Sequence, residues 1–268
     1  MSVINYRQMA SAWGRKGIFY EEFSKHLSDA IEYCVQRIDP GPDEKVLDVA
    51  TGTGWAARMA ALRESKVTGL DFSEELITAA LQLARQYGLS VRFDVGDAEN
   101  LPYHDGSFDV VLSIFGVMFV SRPEQAAEEM ARVCRKGGRL GLTTWPPDGT
   151  IAQLSREVTA KYRSRLTDTP NSTSPYAWGD IDRVKELLGR WFDLQFERCC
   201  TVLHAKNSEQ IWNLWESSHG LISTTLEKLS SREAKTFRDE FIAFHDRFSD
   251  QFGITMPRDY LVTIGVRK

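Results

Sequence analysis

Asp48, Gly52, Gly54, Asp71 and Asp97 are the residues whose types and spacing can do chemistry on a nucleotide-like ligand. The two glycines lie in the run Lys45-Val46-Leu47-Asp48-Val49-Ala50-Thr51-Gly52-Thr53-Gly54, and Trp55-Ala56-Ala57-Arg58-Met59-Ala60-Ala61-Leu62 follows at once. Glycine tolerates the dihedrals of a tight turn and carries no Cβ, so a ligand can approach the backbone closely there. A helix that starts at the turn aims its first N–H groups and a partial positive charge at the same place. Asp71 closes a second apolar run, Lys66-Val67-Thr68-Gly69-Leu70, where a carboxylate can take both hydroxyls of a ribose in charge-assisted hydrogen bonds. Asp97 follows a third run, Val91-Arg92-Phe93-Asp94-Val95, in Gly96-Asp97-Ala98-Glu99-Asn100-Leu101-Pro102. Together these residues make a cradle for a nucleotide-type cofactor. The glycine turn alone leaves that cofactor open, because Gly52-x-Gly54-x-x-Ala57 also fits the dinucleotide fingerprint of an NAD-dependent oxidoreductase.

The elements that must position these residues follow from periodicity. Val46, Leu47 and Val49 are apolar on both faces, as in a buried parallel strand. From 43 to 145 strand-like and helix-like stretches alternate, which implies a parallel sheet covered by helices on both sides. Ser73 is placed to cap a helix over 74 to 87 whose Leu76, Ile77, Ala80, Leu81 and Ala84 form a stripe, and Gly88 suits its C′ position. Pro123 suits the first turn of a helix ending near Arg135-Lys136-Gly137-Gly138, with Arg139 to Trp145 as the fifth strand. Residues 1 to 42 read as helical and aromatic at their start, and Pro40-Gly41-Pro42 stops them.

Four motifs in order carry a resemblance: Asp48-Val49-Ala50-Thr51-Gly52-Thr53-Gly54, Asp71-Phe72, Gly96-Asp97-Ala98, and Ser113 to Gly116 after Phe108-Asp109-Val110-Val111-Leu112. Over about residues 10 to 145 the chain resembles the class I S-adenosylmethionine-dependent methyltransferases of the ubiquinone/menaquinone-biosynthesis-like type. The resemblance implies a Rossmann-like α/β fold with a seven-stranded sheet, mostly parallel, whose last strand is antiparallel. It also implies cofactor contacts. The segment from Asp48 to Gly54, including Ala50 and Thr51, surrounds the methionine half, Asp71 binds the ribose, and Phe72 lies beside the adenine. Asp97 and Ala98 read the adenine edge, and Ser113 lines the methyl-transfer site. Ala50 stands where many members have a third glycine.

Composition bounds the alternatives. The chain has 268 residues, 42% of them hydrophobic and 26% charged, with a net charge of −4. An acidic balance without a basic stripe argues against a nucleic-acid partner. No apolar run approaches the roughly 20 residues of a membrane span. Cys34, Cys134, Cys199 and Cys200 lack a C-x-x-C spacing, so neither a metal site nor a disulfide framework is expected, and the chain reads as cytoplasmic.

The expected organisation is an N-terminal helical lid (1–42), a cofactor-binding core (43–145), and a C-terminal part (146–268). The last part completes the sheet with strands over Asp193 to His204 and Tyr260 to Val266, and carries cap insertions at 146–178 and 206–257. Ile151 to Leu166 reads as an amphipathic helix with a solvated face of Arg156, Lys161, Arg163 and Arg165. Thr167 to Trp178 reads as a polar loop. Ile211, Trp212, Leu214, Trp215 and His219 share one helical face, and Phe237, Phe241, Phe244, Phe248 and Phe252 another. With Trp13, Tyr20, Phe115 and Met118, the residues Trp212, Trp215 and His219 are the candidates for contact with a small, hydrophobic or aromatic methyl acceptor. A sulfonium methyl is already a strong electrophile, so positioning and exclusion of water supply most of the rate. His104 and His219 are the histidines placed near the site; neither is assigned as a catalytic base. The competing readings are a methyltransferase fold that only binds a partner, and the oxidoreductase. The acceptor, the atom methylated and the oligomeric state stay open.

Overall fold

A computed structural model describes residues 3–165 and 174–268. Three helices lead: α1 (Val3–Gly14), α2 (Tyr20–Lys25) and α3 (Ser28–Ile38). Leu27, Ile31, Val35 and Ile38 bury one stripe of α3 against the sheet, and the chain leaves it through Asp39 in the left-handed region at φ 48°. Then come β1 (Lys45–Val49), α4 (Trp55–Ala61), β2 (Lys66–Asp71), α5 (Glu74–Gln86), β3 (Arg92–Val95), β4 (Phe108–Ile114), α6 (Pro123–Val133) and β5 (Cys134–Thr144). The caps are as the sequence implies. Ser73 Oγ accepts from the Leu76 N–H, Gly88 takes φ 68° after α5, and Pro123 opens α6.

The remainder is α7 (Thr150–Glu157), α8 (Ile181–Leu188), β6 (Phe192–Ala205), α9 (Ser208–Ser218), α10 (Gly220–Glu227), α11 (Ser231–Asp246), the two-residue β7 (Ser249–Asp250) and β8 (Gly253–Arg267). The sheet runs β3-β2-β1-β4-β5-β8-β6, with β7 paired to β8 off this path. β1 to β5 are parallel, and β8 is antiparallel to both β5 and β6. This is the Rossmann-like α/β architecture with one antiparallel strand.

Three boundaries differ from the sequence reading. β5 begins at Cys134 and not at Arg139; its irregular start, with Gly137 at φ 70°, hides it from a periodicity count. The helix expected from Ile151 to Leu166 ends at Glu157 and continues as 3-10 turns over Thr159–Arg165. The Arg163 and Arg165 side chains, and the expected loop up to residue 173, lie outside the described residues. The last strand begins at Gly253, so residues 253–257 of the expected cap belong to the sheet. Pro257, Arg258 and Asp259 break its apolar pattern; the proline is tolerated because this half of β8 lies beyond the β5 ladder and pairs with β6 alone.

The core is in two parts. One covers both faces of the parallel strands, and the other joins α7 and α9–α11 to the far ends of β6 and β8 around Trp212, Phe237, Phe241 and Met256. Phe252, expected on that aromatic face, is instead 85% exposed beyond α11.

Candidate active site

β1 and β4 lie side by side where the strand order reverses, so their carboxyl ends open a crevice between diverging connections. After Val49 the chain turns through Ala50, Gly52 and Gly54 at φ 56°, 57° and 81°. Gly54 is required twice over: by its dihedral, and because a Cβ there would lie 2.8 Å from the Phe93 ring. From β4, Phe115 also takes a left-handed φ of 53°, and a Cβ on Gly116 would meet the Ala50 Cβ at 2.6 Å. Two non-glycine residues in this region within one crevice are the kind of local strain, about 1–3 kcal/mol each, that the surrounding fold must hold in place.

The carboxylates divide the work. Asp48 Oδ2 accepts from Thr51 Oγ1 at 2.5 Å and from the Ala57 N–H at 3.1 Å, which closes the glycine turn onto α4. Burial pushes its pKa up to about 7. Asp71 is only 4% exposed; Oδ2 accepts from the Gly52 N–H at 2.9 Å and Oδ1 from the Ser73 N–H at 3.0 Å. Burial raises it to about 6. The Phe72 N–H is a third backbone donor to Asp71; an ionised carboxylate has about four acceptor positions, so it can still accept from a ligand hydroxyl. Asp97 is half-buried; Oδ1 accepts from the Glu99 N–H at 2.9 Å, and burial moves its pKa upward.

These groups border one cavity of about 1080 Å³, counting its mouth. Asp48, Ala50, Thr51, Gly52, Asp71, Phe72, Asp97 and Ala98 are all on its wall, with Trp13 and Tyr20 arriving from the N-terminal segment. Gly54 shapes the turn without bordering it. Ser113 is a correction. Its buried hydroxyl donates to the Val49 carbonyl at 2.8 Å and accepts from the Val117 N–H at 2.9 Å. It staples β4 to β1 and borders neither cavity.

A second chamber of about 1660 Å³ adjoins the first and shares Trp13, Tyr20, Phe72, Phe115, Phe119 and Val120 with it. Phe115 stacks on Trp145 with ring centroids 4.1 Å apart. Met118, Trp215 and His219 are on the chamber wall as expected, whereas Trp212 is not. Trp212 is 3% exposed and packs edge-on against Phe237 and Phe241, because it lies one position off the row that Trp215 and His219 present to the chamber. His219 stacks on Trp215 at 5.1 Å and meets Phe23 edge-on at 4.7 Å. Its Nδ1 is buried without a hydrogen-bond partner, and desolvation pushes the ring down to about 4, so it stays neutral. His104 is exposed and borders neither cavity.

Sequence reasoning missed Phe23, Phe119, Tyr176 and Arg258 on the chamber wall. It also missed Glu99, whose buried carboxylate accepts from the Ser121 and Arg122 N–H groups and pins the segment after β4 beside the Asp97 turn. No motif spacing links these residues, which come from five separate parts of the chain. Among the described residues, no group of three or more His, Cys, Asp or Glu could hold a metal ion, and no helix is long and apolar enough to cross a membrane.

Residues 47–142 match the sequence model of a family described as a methyltransferase domain. An uncharacterized protein of Mycobacterium tuberculosis is 38% identical over 147 residues, 54% of this chain and 52% of that protein. A demethylmenaquinone methyltransferase of Deinococcus radiodurans is 44% identical over 105 residues, 38% of this chain and 44% of that enzyme. The match thus spans about half the length of these relatives. A putative methyltransferase of Bacillus halodurans shares the fold at a TM-score of 0.62 and 20% identity, covering 89% of this chain and 98% of that one.

Proposed function

We propose, from the match of residues 47–142 to a methyltransferase domain, that the protein is a class I S-adenosylmethionine-dependent methyltransferase that transfers the methyl group to a small hydrophobic or aromatic acceptor. The observation that carries this reading is the adjacency of the two cavities. A cleft edged by Asp71 and Asp97 shares Phe115 and Phe119 with an aromatic chamber large enough for a small organic molecule.

The residues present fit the cofactor. Asp71 holds the ribose with the acceptor capacity that the Gly52, Phe72 and Ser73 N–H groups leave. Asp97 takes the adenine amine on Oδ2, since Oδ1 is engaged by Glu99. Phe72 lies along the adenine, and Ala50 to Gly54 surround the amino-acid end. When bound, the cofactor supplies a sulfonium-activated methyl group. The chain then holds the acceptor in line and keeps water out. Trp13 and Tyr20 close over both cavities as the lid, and α9–α11 with α7 form the cap. His219 supports an acceptor with a hydroxyl or N–H: its neutral ring can accept a hydrogen bond that orients that group. Four unpaired cysteines suit a reducing cytoplasm, and the acidic chain lacks the basic surface a nucleic-acid substrate needs.

The test is a thermal-shift titration of wild type and Asp71→Ala with S-adenosylmethionine, S-adenosylhomocysteine and NAD, followed by a screen of aromatic acceptors with methyl-labelled cofactor. At 100 times its dissociation constant a ligand adds about 2.7 kcal/mol of stability. The expected result is stabilisation by the first two ligands, lost in Asp71→Ala, and label in an acceptor. Stabilisation by NAD alone would overturn the reading. Cofactor binding without transfer across the acceptor classes would leave a binding module.

A further inference from the structure

Among the described residues, the chamber's one formally charged wall residue is Arg258 on β8, among side chains that are otherwise aromatic, aliphatic or neutral polar. It is 3% exposed. Both protein hydrogen bonds recorded for its guanidinium use Nη2, to the His26 carbonyl and to Thr201 Oγ1. Nε is buried with no partner. No carboxylate among the described residues forms an ion pair with it. Asp29, itself exposed, acts at longer range through Thr201, whose hydroxyl donates to Asp29 at 2.8 Å. Desolvation pushes the guanidinium down to about 10, with Asp29 and Cys200 pulling the other way.

Burying a cation without a counter-charge is costly, and so is an orphaned N–H. A methionine or leucine would fill the same position in β8 at less cost if packing were its whole purpose. The residues around it show why the charge is unrewarded by the protein itself. Leu27, Ile151, Leu154 and Phe237 supply no acceptor, and His219 is neutral. Nη1, with no partner among the described residues, is left to pair with one oxygen of a carboxylate. Among the described residues, one cation with no second charged basic group on the wall matches a single negative charge better than a phosphate dianion.

We propose that Arg258 anchors a carboxylate on the methyl acceptor, so that the chamber takes an aromatic or aliphatic carboxylic acid with the acid end on β8. This rests on the methyltransferase reading of the chamber, but its test is independent of turnover. The guanidinium pairs with the acid, the aromatic wall covers the apolar body, and the shared residues Phe115 and Phe119 leave the other end nearest the cofactor cavity.

Affinities of benzoate, cinnamate, indole-3-acetate and decanoate, and of their uncharged amides, are measured by calorimetry on wild type, Arg258→Lys and Arg258→Gln. S-adenosylhomocysteine affinity on each protein reports whether the variant is folded. The expected result is that at least one acid binds wild type tenfold or more tighter than its amide. That preference shrinks in Arg258→Lys and disappears in Arg258→Gln. Equal binding of acids and amides, a preference that survives Arg258→Gln, or no binding by any acid would overturn the proposal. If Arg258→Gln does not fold, the wild-type comparison and Arg258→Lys still decide it. If wild type binds the acids with that preference but not S-adenosylhomocysteine, the methyl-transfer reading fails and the anion site stands.

Discussion

Asp48 and Asp71 are separated by one strand of chain and do different work, and the hydrogen-bond pattern tells them apart where the residue type cannot. Both are buried with pKa values raised above the ordinary carboxylate, to about 7 and about 6. A raised folded value means the folded protein keeps a proton that the unfolded chain releases near pH 4. The stability from these two groups is therefore full below about pH 4 and declines as pH climbs through 6 to 7. Cofactor binding has the opposite sign, because ribose hydroxyls need ionised Asp71 as their acceptor. The dissociation constant of S-adenosylhomocysteine should be flat from pH 8 to 7 and rise below about 6, by up to about tenfold per pH unit. Asp71→Asn should bind weakly and without that slope. Calorimetry from pH 5 to 8 checks this, and a flat wild-type profile would remove Asp71 from the ribose. Ser113 carries the opposite lesson: its place at a strand end suggested a ligand contact, but its hydroxyl is consumed within the sheet.

Between elements, the decisive contact is the one that fastens the N-terminal segment to the glycine turn. Glu21 on α2 pairs with Arg58 on α4 at 2.5 Å and accepts from Thr53 Oγ1 at 2.6 Å, with the ion-pair side chains 8% and 7% exposed. Arg58 also donates to the Thr53 carbonyl at 2.5 Å and lies over the Trp55 and Tyr87 rings. Such a pair adds little net stability against an apolar replacement, but losing one member strands a buried charge at a cost of about 3–5 kcal/mol. Glu21→Ala should therefore lower the unfolding free energy measured in urea by that amount and weaken S-adenosylhomocysteine binding, because Tyr20 on the cofactor wall is its neighbour. Glu21→Leu combined with Arg58→Leu should recover most of the stability. A near-neutral Glu21→Ala would show a segment that is not held. None of this tether was visible in the sequence, where Glu21 and Arg58 are unremarkable charges. The cofactor half was legible because its residues sit in short runs where strand ends force them together: Asp48 to Gly54, Asp71, Asp97. The chamber was not, because Phe23, Tyr176 and Arg258 meet only after the β6–β8 pairing is known, and Pro257 disguised that pairing.

Across the whole molecule, the β6–β8 hairpin is what joins cofactor core to cap. Residues 261–266 of β8 pair with both β5 and β6, inside the sheet. Residues 255–260 pair with β6 alone, and the second hydrophobic cluster is built on that outer half. Ile151 packs against both clusters, and Trp13 and Tyr20 border both cavities. The central strands are flanked on both sides and covered on both faces, whereas α9–α11 pack on one edge of the hairpin and on the N-terminal helices α1 and α2. Local opening should therefore cost less in the cap than in the core. Hydrogen exchange should show amides of α10 and α11 exchanging before those of β1, β4 and β5. S-adenosylhomocysteine should slow exchange in α2 and in residues 50–61, where the turn and its tether lie, and leave α11 little changed. A carboxylate ligand of the chamber should then slow the outer half of β8 and α9, since Arg258 and His219 sit on those elements or at their ends. Exchange slowed uniformly by the first ligand would mean that core and cap open as one unit, and that the cap cannot admit an acceptor while the cofactor stays bound.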